Sequence, residues 1–160
     1  MILMKISVTS YNIEGLTLEA NYCQDTSLKY YIVEKSKYLN EFLSSLNSDI
    51  ICIQEYTEIL EIKLENYYHV VEKSDAIFYS KEKFTYVNHT YNQHHGIWLS
   101  LDMDGLVLEI VSVRLPPNDE PVLREMVLSN IDMKAKNKIL VLASDTNMKK
   151  KAKKKFWIIW

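Results

Sequence analysis

Glycine is scarce in this chain, with three residues in 160, and proline and cysteine are equally thin at three and two. So little glycine and proline excludes a collagen-like or low-complexity polypeptide and leaves no material for a Gly-rich phosphate loop. The segment Asn12-Ile13-Glu14-Gly15 after the first strand-like stretch lacks the glycine spacing of a dinucleotide-binding turn. Two cysteines cannot staple a disulfide scaffold. Cys52 lies inside an apolar run and, with Cys23 the only other cysteine, reads as a reduced, buried thiol in a reducing compartment. No apolar stretch nears the roughly 20 residues that span a bilayer. Met1-Ile2-Leu3-Met4-Lys5 is too short for the apolar region of a signal peptide. The expected location is therefore cytoplasmic or nuclear.

What is present is ordinary in amount, 48% hydrophobic and 25% charged, but uneven in placement. Lys149, Lys150, Lys151, Lys153, Lys154 and Lys155 form one basic run; without these six, the net charge falls from −2 to −8. An acidic body argues against non-specific grip on a long polyanion. It is compatible with metal-assisted phosphoester chemistry, because the cation supplies the local positive charge. There is no internal repeat and no linker, so residues 1–148 are expected to form one domain followed by a basic and aromatic tail, 149–160.

Periodicity predicts the elements. Residues 4–12 alternate as a first strand, and Gly15 to Thr26 reads as a loop. Ile32, Leu39, Phe42, Leu43 and Leu46 mark an amphipathic helix over Tyr31–Leu46. Residues 49–54 hold a continuous apolar run bounded by the polar Asp49 and Gln54, as in a strand buried on both faces. A short helix is expected over Thr57–Leu64, then three short strands at 67–71, 76–79 and 84–87. Ile97–Leu101 and Leu106–Val113 flank Asp102-Met103-Asp104-Gly105 as a hairpin. After Pro116-Pro117-Asn118, a helix over 120–133 should turn Val122, Met126 and Ile131 inward, and 139–143 is the last strand. The order fits an α/β (α+β) sandwich with sheets inside and helices outside.

Three polar clusters end apolar strands: Tyr11-Asn12, Gln54-Glu55 and Ser144-Asp145-Thr146-Asn147. Glu55 at the mouth of a core strand needs a cation or donors to offset its desolvation. A hard cation such as Mg²⁺ serves, and so does a lysine in an ordinary ion pair. Asn12 alone suits a turn equally well. Asp145 and Asn147, two apart in an extended segment, share a side, where a carboxylate can orient or deprotonate a water beside a carboxamide; a plain polar turn has the same spelling. Together, in this order on strand ends, the clusters favour a phosphoester site.

These motifs resemble those of the endonuclease/exonuclease/phosphatase (DNase I-like) superfamily. Tyr11-Asn12 is similar to its opening Asn motif, Ile53-Gln54-Glu55 to its metal motif and Ser144-Asp145-Thr146-Asn147 to its Gly-Asp-x-Asn motif. The Asp-Thr-Asn wording and the Asn-Ile-x-Gly start most resemble the tyrosyl-DNA phosphodiesterase 2 branch, which removes tyrosyl adducts from 5′ DNA ends. The resemblance spans residues 5–148. It implies a four-layer α-β-β-α sandwich and Mg²⁺ (Mn²⁺ as substitute) held by Glu55 with Asn12. It further implies Asp145 acting on the attacking water with Asn147 beside it, and a phosphoester substrate such as DNA ends. Asn12, Glu55, Asp145 and Asn147 are then expected to converge.

Three departures follow. Val113-Arg114-Leu115 stands where the family reads Ser/Thr-His-Leu, and Arg114 can grip a phosphate oxygen but cannot titrate as an imidazole. Ser144 replaces glycine. The family's final Ser-Asp-His segment has no counterpart, since His69, His89, His94 and His95 all lie upstream, and His94-His95 reads as loop. The expected product is a member of this fold incomplete at its C-terminus, its last residues a frame slip in a lysine-coding stretch or else a basic segment for nucleic acid or membrane. Two functions stay open: a metal-dependent phosphodiesterase, impaired or not, and a catalytically inactive homologue acting as a binding module.

Overall fold

Two runs of alternating or continuous apolar residues, each joined to the next by a helix, set up the same parallel strand pair in each half of the chain. A computed structural model describes residues 5–13, 26–92, 96–116, 119–136, 138–145 and 157–159. They fall into two compact units, 1–80 and 81–160.

In the first unit, β1 (Val8–Asn12), α1 (Thr26–Ser45), β2 (Ile50–Gln54), β3 (Tyr67–Glu72) and β4 (Asp75–Ser80) build a sheet ordered β1-β2-β4-β3. β1 and β2 run parallel and the remaining pairs antiparallel. All five residues of β2 are buried, as its unbroken apolar run predicts. Leu39 and Leu43, one turn apart on α1, pack with Ile51, Ile53, Ala76 and Phe78 of the sheet. Asn47 ends the helix in the left-handed region (φ 47°), a conformation asparagine tolerates.

The register of the parallel pair is fixed at its leading end. The Ser7 backbone N–H and hydroxyl both donate to Asp49 Oδ2, at 2.8 and 2.9 Å, and the Asp49 N–H donates to Ser7 Oγ at 3.0 Å. Tyr67 Oη donates to the Ser48 carbonyl at 2.6 Å. With Val8 opposite Ile50, the far ends bring Asn12 opposite Gln54.

The second unit carries β5 (Thr85–Asn92), β6 (Gly96–Met103), β7 (Leu106–Arg114), α2 (Pro121–Ala135), β8 (Ile139–Asp145) and β9 (Trp157–Ile159), in the spatial order β5-β6-β7-β8-β9. The turn between β6 and β7 has positive φ at both central residues, Asp104 (55°) and Gly105 (85°). That is the hairpin geometry Asp-Gly favours, and the Gly105 N–H donates to Asp102 Oδ1 at 3.1 Å. β7 and β8 are parallel across α2. β5, at one edge, has no charged residue or proline in eight positions, and most of them are exposed.

Under α2 lies a buried polar knot. Glu109 accepts from Trp98 Nε1 at 2.5 Å and Ser100 Oγ at 2.7 Å, and pairs with Lys138 Nζ at 3.2 Å. The ammoniums of Lys134 and Lys138 each stand 5.7 Å from the centre of the Trp98 ring.

Four expectations need correction. Residues 57–64 contain no helix: Leu60, Ile62 and Leu64 enter the core at a spacing of two, which an α-helix cannot supply. α1 starts at Thr26 rather than near Tyr31. α2 buries Val127 and Ile131, whereas Val122 is 81% and Met126 44% exposed. Its apolar residues lie on most of its sides, so period alone does not select the face. Finally, the tail's Trp157–Ile159 pairs antiparallel with Leu140–Leu142 of β8. Residues 15–25 of the expected loop, Cys23 among them, His94-His95 and the lysine run lie outside the described residues, while Thr26 opens α1.

Candidate active site

The two parallel pairs deliver polar residues at their carboxyl ends, where open α/β sheets place ligands. In the first unit, Tyr11 packs its ring 5.1 Å from Phe42 of α1, so its neighbour Asn12 lies on the opposite face of the strand. Asn12 Nδ2 donates to Glu55 Oε1 at 3.1 Å, and Ser10 Oγ donates to Gln54 Oε1 at 3.2 Å. Two motifs separated by 43 residues thus touch.

Glu55 is held at a sharp bend. Its φ is +57°, a left-handed conformation disfavoured for a side chain with a Cβ. The bend is clamped on both sides: the Ile13 N–H donates to the Gln54 carbonyl at 3.1 Å, and the Tyr56 N–H donates to the Ser74 carbonyl at 2.8 Å. Ser74 belongs to the two-residue β3–β4 turn, whose Lys73 also has positive φ (52°). A strained backbone fixed by its surroundings is a feature of functional sites. Beside it, Asp75 is buried opposite Gln54. Burial, and then the charge of Asp75, push the Cys52 thiol far above its ordinary range. Burial also raises the Tyr56 phenol, with Glu58 adding to it.

In the second unit, Arg114 ends β7 in direct register with Asp145, the last residue of β8, and Val113 with Ser144. Val111, Val113 and Leu115 pack toward α2, so exposed Arg114 belongs to the other face of the sheet. The Asp145 backbone is described, its side chain is not, and Asn147 lies outside the described residues.

Among the described residues no group of three or more Asp, Glu, His or Cys side chains is placed to hold a metal. The half-buried oxygen donors in contact at the first rim are the Glu55 carboxylate and the Asn12 carboxamide, while Gln54 and Asp75 beside them are buried. This sparse oxygen set fits Mg²⁺, which keeps several waters and uses one or two protein carboxylates. Sequence reasoning did not find the clamp from Ser74 or the buried Asp75. Both depend on a hairpin folding back over the strand end, which no local spacing announces.

No protein-family model matches the chain, and no curated protein matches it. Solved structures do match. D. rerio TDP2 complexed with a single-strand DNA product superposes with a TM-score of 0.67 at 16% identity, over 91% of this chain and 62% of that one. An endonuclease/exonuclease/phosphatase family protein from Bacteroides thetaiotaomicron gives 0.64 at 13%, over 89% and 63%. ANGEL2, a 2′,3′-cyclic phosphatase, gives 0.62 at 20%, over 89% and 52%. The chain spans less than two thirds of the length of each. These likenesses show that the chain has the DNase I-like fold that TDP2 has, with the clamped Asn12–Glu55 pair at the carboxyl ends of β1 and β2.

Proposed function

We propose that this protein is a divalent-metal-dependent phosphodiesterase acting on nucleic-acid ends, with a 5′-tyrosyl-DNA adduct as the first substrate to test. The observation that carries this reading is the 3.1 Å contact from Asn12 Nδ2 to Glu55 Oε1, which joins two distant motifs at one strand-end rim. The DNA product bound by one structural neighbour and the cyclic-phosphate chemistry of another support the substrate class.

The residues then divide the work. Glu55 would hold Mg²⁺, or Mn²⁺ in its place, with Asn12 assisting. The ion, when bound, would stabilise charge on the phosphoryl oxygens during in-line displacement. Asn12 donates to one carboxylate oxygen and so fixes the plane of the Glu55 carboxylate. Arg114, a permanent cation at the end of β7, grips a non-bridging phosphate oxygen. Asp145 orients the attacking water and accepts its proton, and Asn147 holds that water or a phosphate oxygen.

The test is Mg²⁺-dependent turnover of a generic phosphodiester reporter and of a 5′-tyrosyl oligonucleotide. Glu55→Ala and Asp145→Ala should each abolish turnover. A well-folded protein with no turnover above a chelated control would overturn the reading and favour a binding module.

A further inference from the structure

β5 is the terminal strand of the second sheet: among the described residues no strand lies beyond it. Its stretch Asn88-His89-Thr90-Tyr91-Asn92 reads the same in kind from either end, Asn outermost, a ring next, Thr in the middle. The register with β6 assigns the faces. Asn88, Thr90 and Asn92 stand opposite Ser100, Trp98 and Gly96, whereas His89 and Tyr91 stand opposite Leu99 and Ile97. Trp98 packs toward α2, so the two asparagines and Thr90 lie on the α2 face and the two rings on the other. The first three are exposed and the rings half-buried. An irregularity between Tyr86 and Asn88 ends the regular stretch on one side.

We propose that β5 joins two copies of this chain, pairing antiparallel with itself about a two-fold axis at Thr90, so that two sheets become one. It does not rest on the catalytic reading. A two-fold interface is self-complementary: residue i meets j, and j meets i. Residues facing each other across two strands must also share a side of the sheet. An axis at Thr90 meets both conditions. Thr90 faces Thr90 of the second copy, His89 faces its Tyr91, and Asn88 faces its Asn92. These are a hydroxyl pair, a ring pair and a carboxamide pair, each of a kind that favours cross-strand contact. An axis between two residues would oppose side chains from opposite faces, and one at His89 would have to cross the irregularity. The stretch has no charge, so two identical copies meet without repulsion, and it offers nothing to recognise a charged partner. His89 is held before pairing: its Nδ1 shares a 3.0 Å hydrogen bond with Tyr86 Oη, so it loses little freedom on meeting Tyr91. Five residues cover far less than the ~800 Å² per partner of a stable complex, so the dimer is weak, forming at about 10–100 µM.

The experiment is sedimentation velocity of the full chain across that range of concentration, where the parent should pass from the mass of one copy to that of two. Thr90→Lys and Thr90→Glu each set like charges across the axis and should raise the midpoint by at least about fivefold. An equimolar mixture of the two variants sets Lys against Glu and should pair to within about twofold of the parent. Thr90 is exposed, so circular dichroism of each variant should match the parent. Hydrogen exchange of the parent gives a reading free of any substitution: amides within 88–92 should gain protection as concentration rises, while those of β3 do not. The proposal is overturned if the parent stays at one copy throughout, or if it grows past two into larger species. It is overturned equally if either variant pairs as the parent does, if the mixture pairs no better than the variants alone, or if amides 88–92 gain no protection.

Discussion

The left-handed backbone at Glu55 sets two substitutions against each other. Glu55→Ala and Glu55→Gly both remove the carboxylate and its bond to Asn12, so that loss cancels when the two are compared. What remains is the backbone. A residue with a Cβ held at φ +57° costs roughly 1–2 kcal/mol relative to glycine. Glycine gives back about 0.4–1 kcal/mol through its freer unfolded chain. The net expectation is that Glu55→Gly is more stable than Glu55→Ala by about 1 kcal/mol, or about 2–4 °C in Tm for a chain of this size. Urea denaturation and thermal melts of the two variants measure it, and neither should turn over substrate. If Glu55→Ala proves as stable as Glu55→Gly, the bend is not strained, and the account of a clamp imposing it fails.

Other consequences can be measured alongside. Glu109→Ala strands the buried Trp98 N–H and Ser100 hydroxyl and should cost about 2–3 kcal/mol, with a shift in tryptophan emission. Glu109→Gln, which keeps an acceptor, should cost less. Asp49→Ala removes the acceptor shared by two Ser7 donors and should lower stability by about 1.5–3 kcal/mol in urea titrations. Cys52 is buried with its pKa raised, so the unfolded chain loses this proton near its ordinary pKa of roughly 8.5 while the folded chain keeps it. Stability must therefore fall as pH rises above that value. Between about pH 8 and about pH 10 the parent chain should lose about 2 kcal/mol more than Cys52→Ala. Equal losses would show that the thiol ionises in place.

Much of this fold was legible because two-sided burial leaves a plain mark on a sequence. β2 announced itself by four apolar or cysteine-bearing positions in a row, Ile50 to Ile53, and the β6–β7 turn by Asp-Gly. α1 was found through Leu39 and Leu43 but not at its start, because the turns from Thr26 carry no apolar period. The segment 57–64 misled because Leu60, Ile62 and Leu64 are apolar enough for a helix yet enter the core alternately. The faces of α2 could not be told apart while Val122, Met126 and Met133 were as apolar as Val127 and Ile131. β9 was invisible, since its strand character comes from its partner β8. At the rim, the pairing of Asn12 with Glu55 was legible from motif order. The twist that aims Glu55 was not, because it is imposed by Ser74, nineteen positions along the chain.

The open border at β5 bears on handling. Thr85–Asn92 presents tyrosine, valine, asparagine, histidine and threonine without a repelling charge, interrupted only by the irregularity between Tyr86 and Asn88. Sheets guard such borders with lysine or proline because bare ones recruit strands from neighbouring molecules. Among the described residues no strand pairs with this border, so strand pairing between molecules in concentrated solution is expected there, and one lysine placed at an outward position such as Val87 should raise the solubility ceiling without touching either rim.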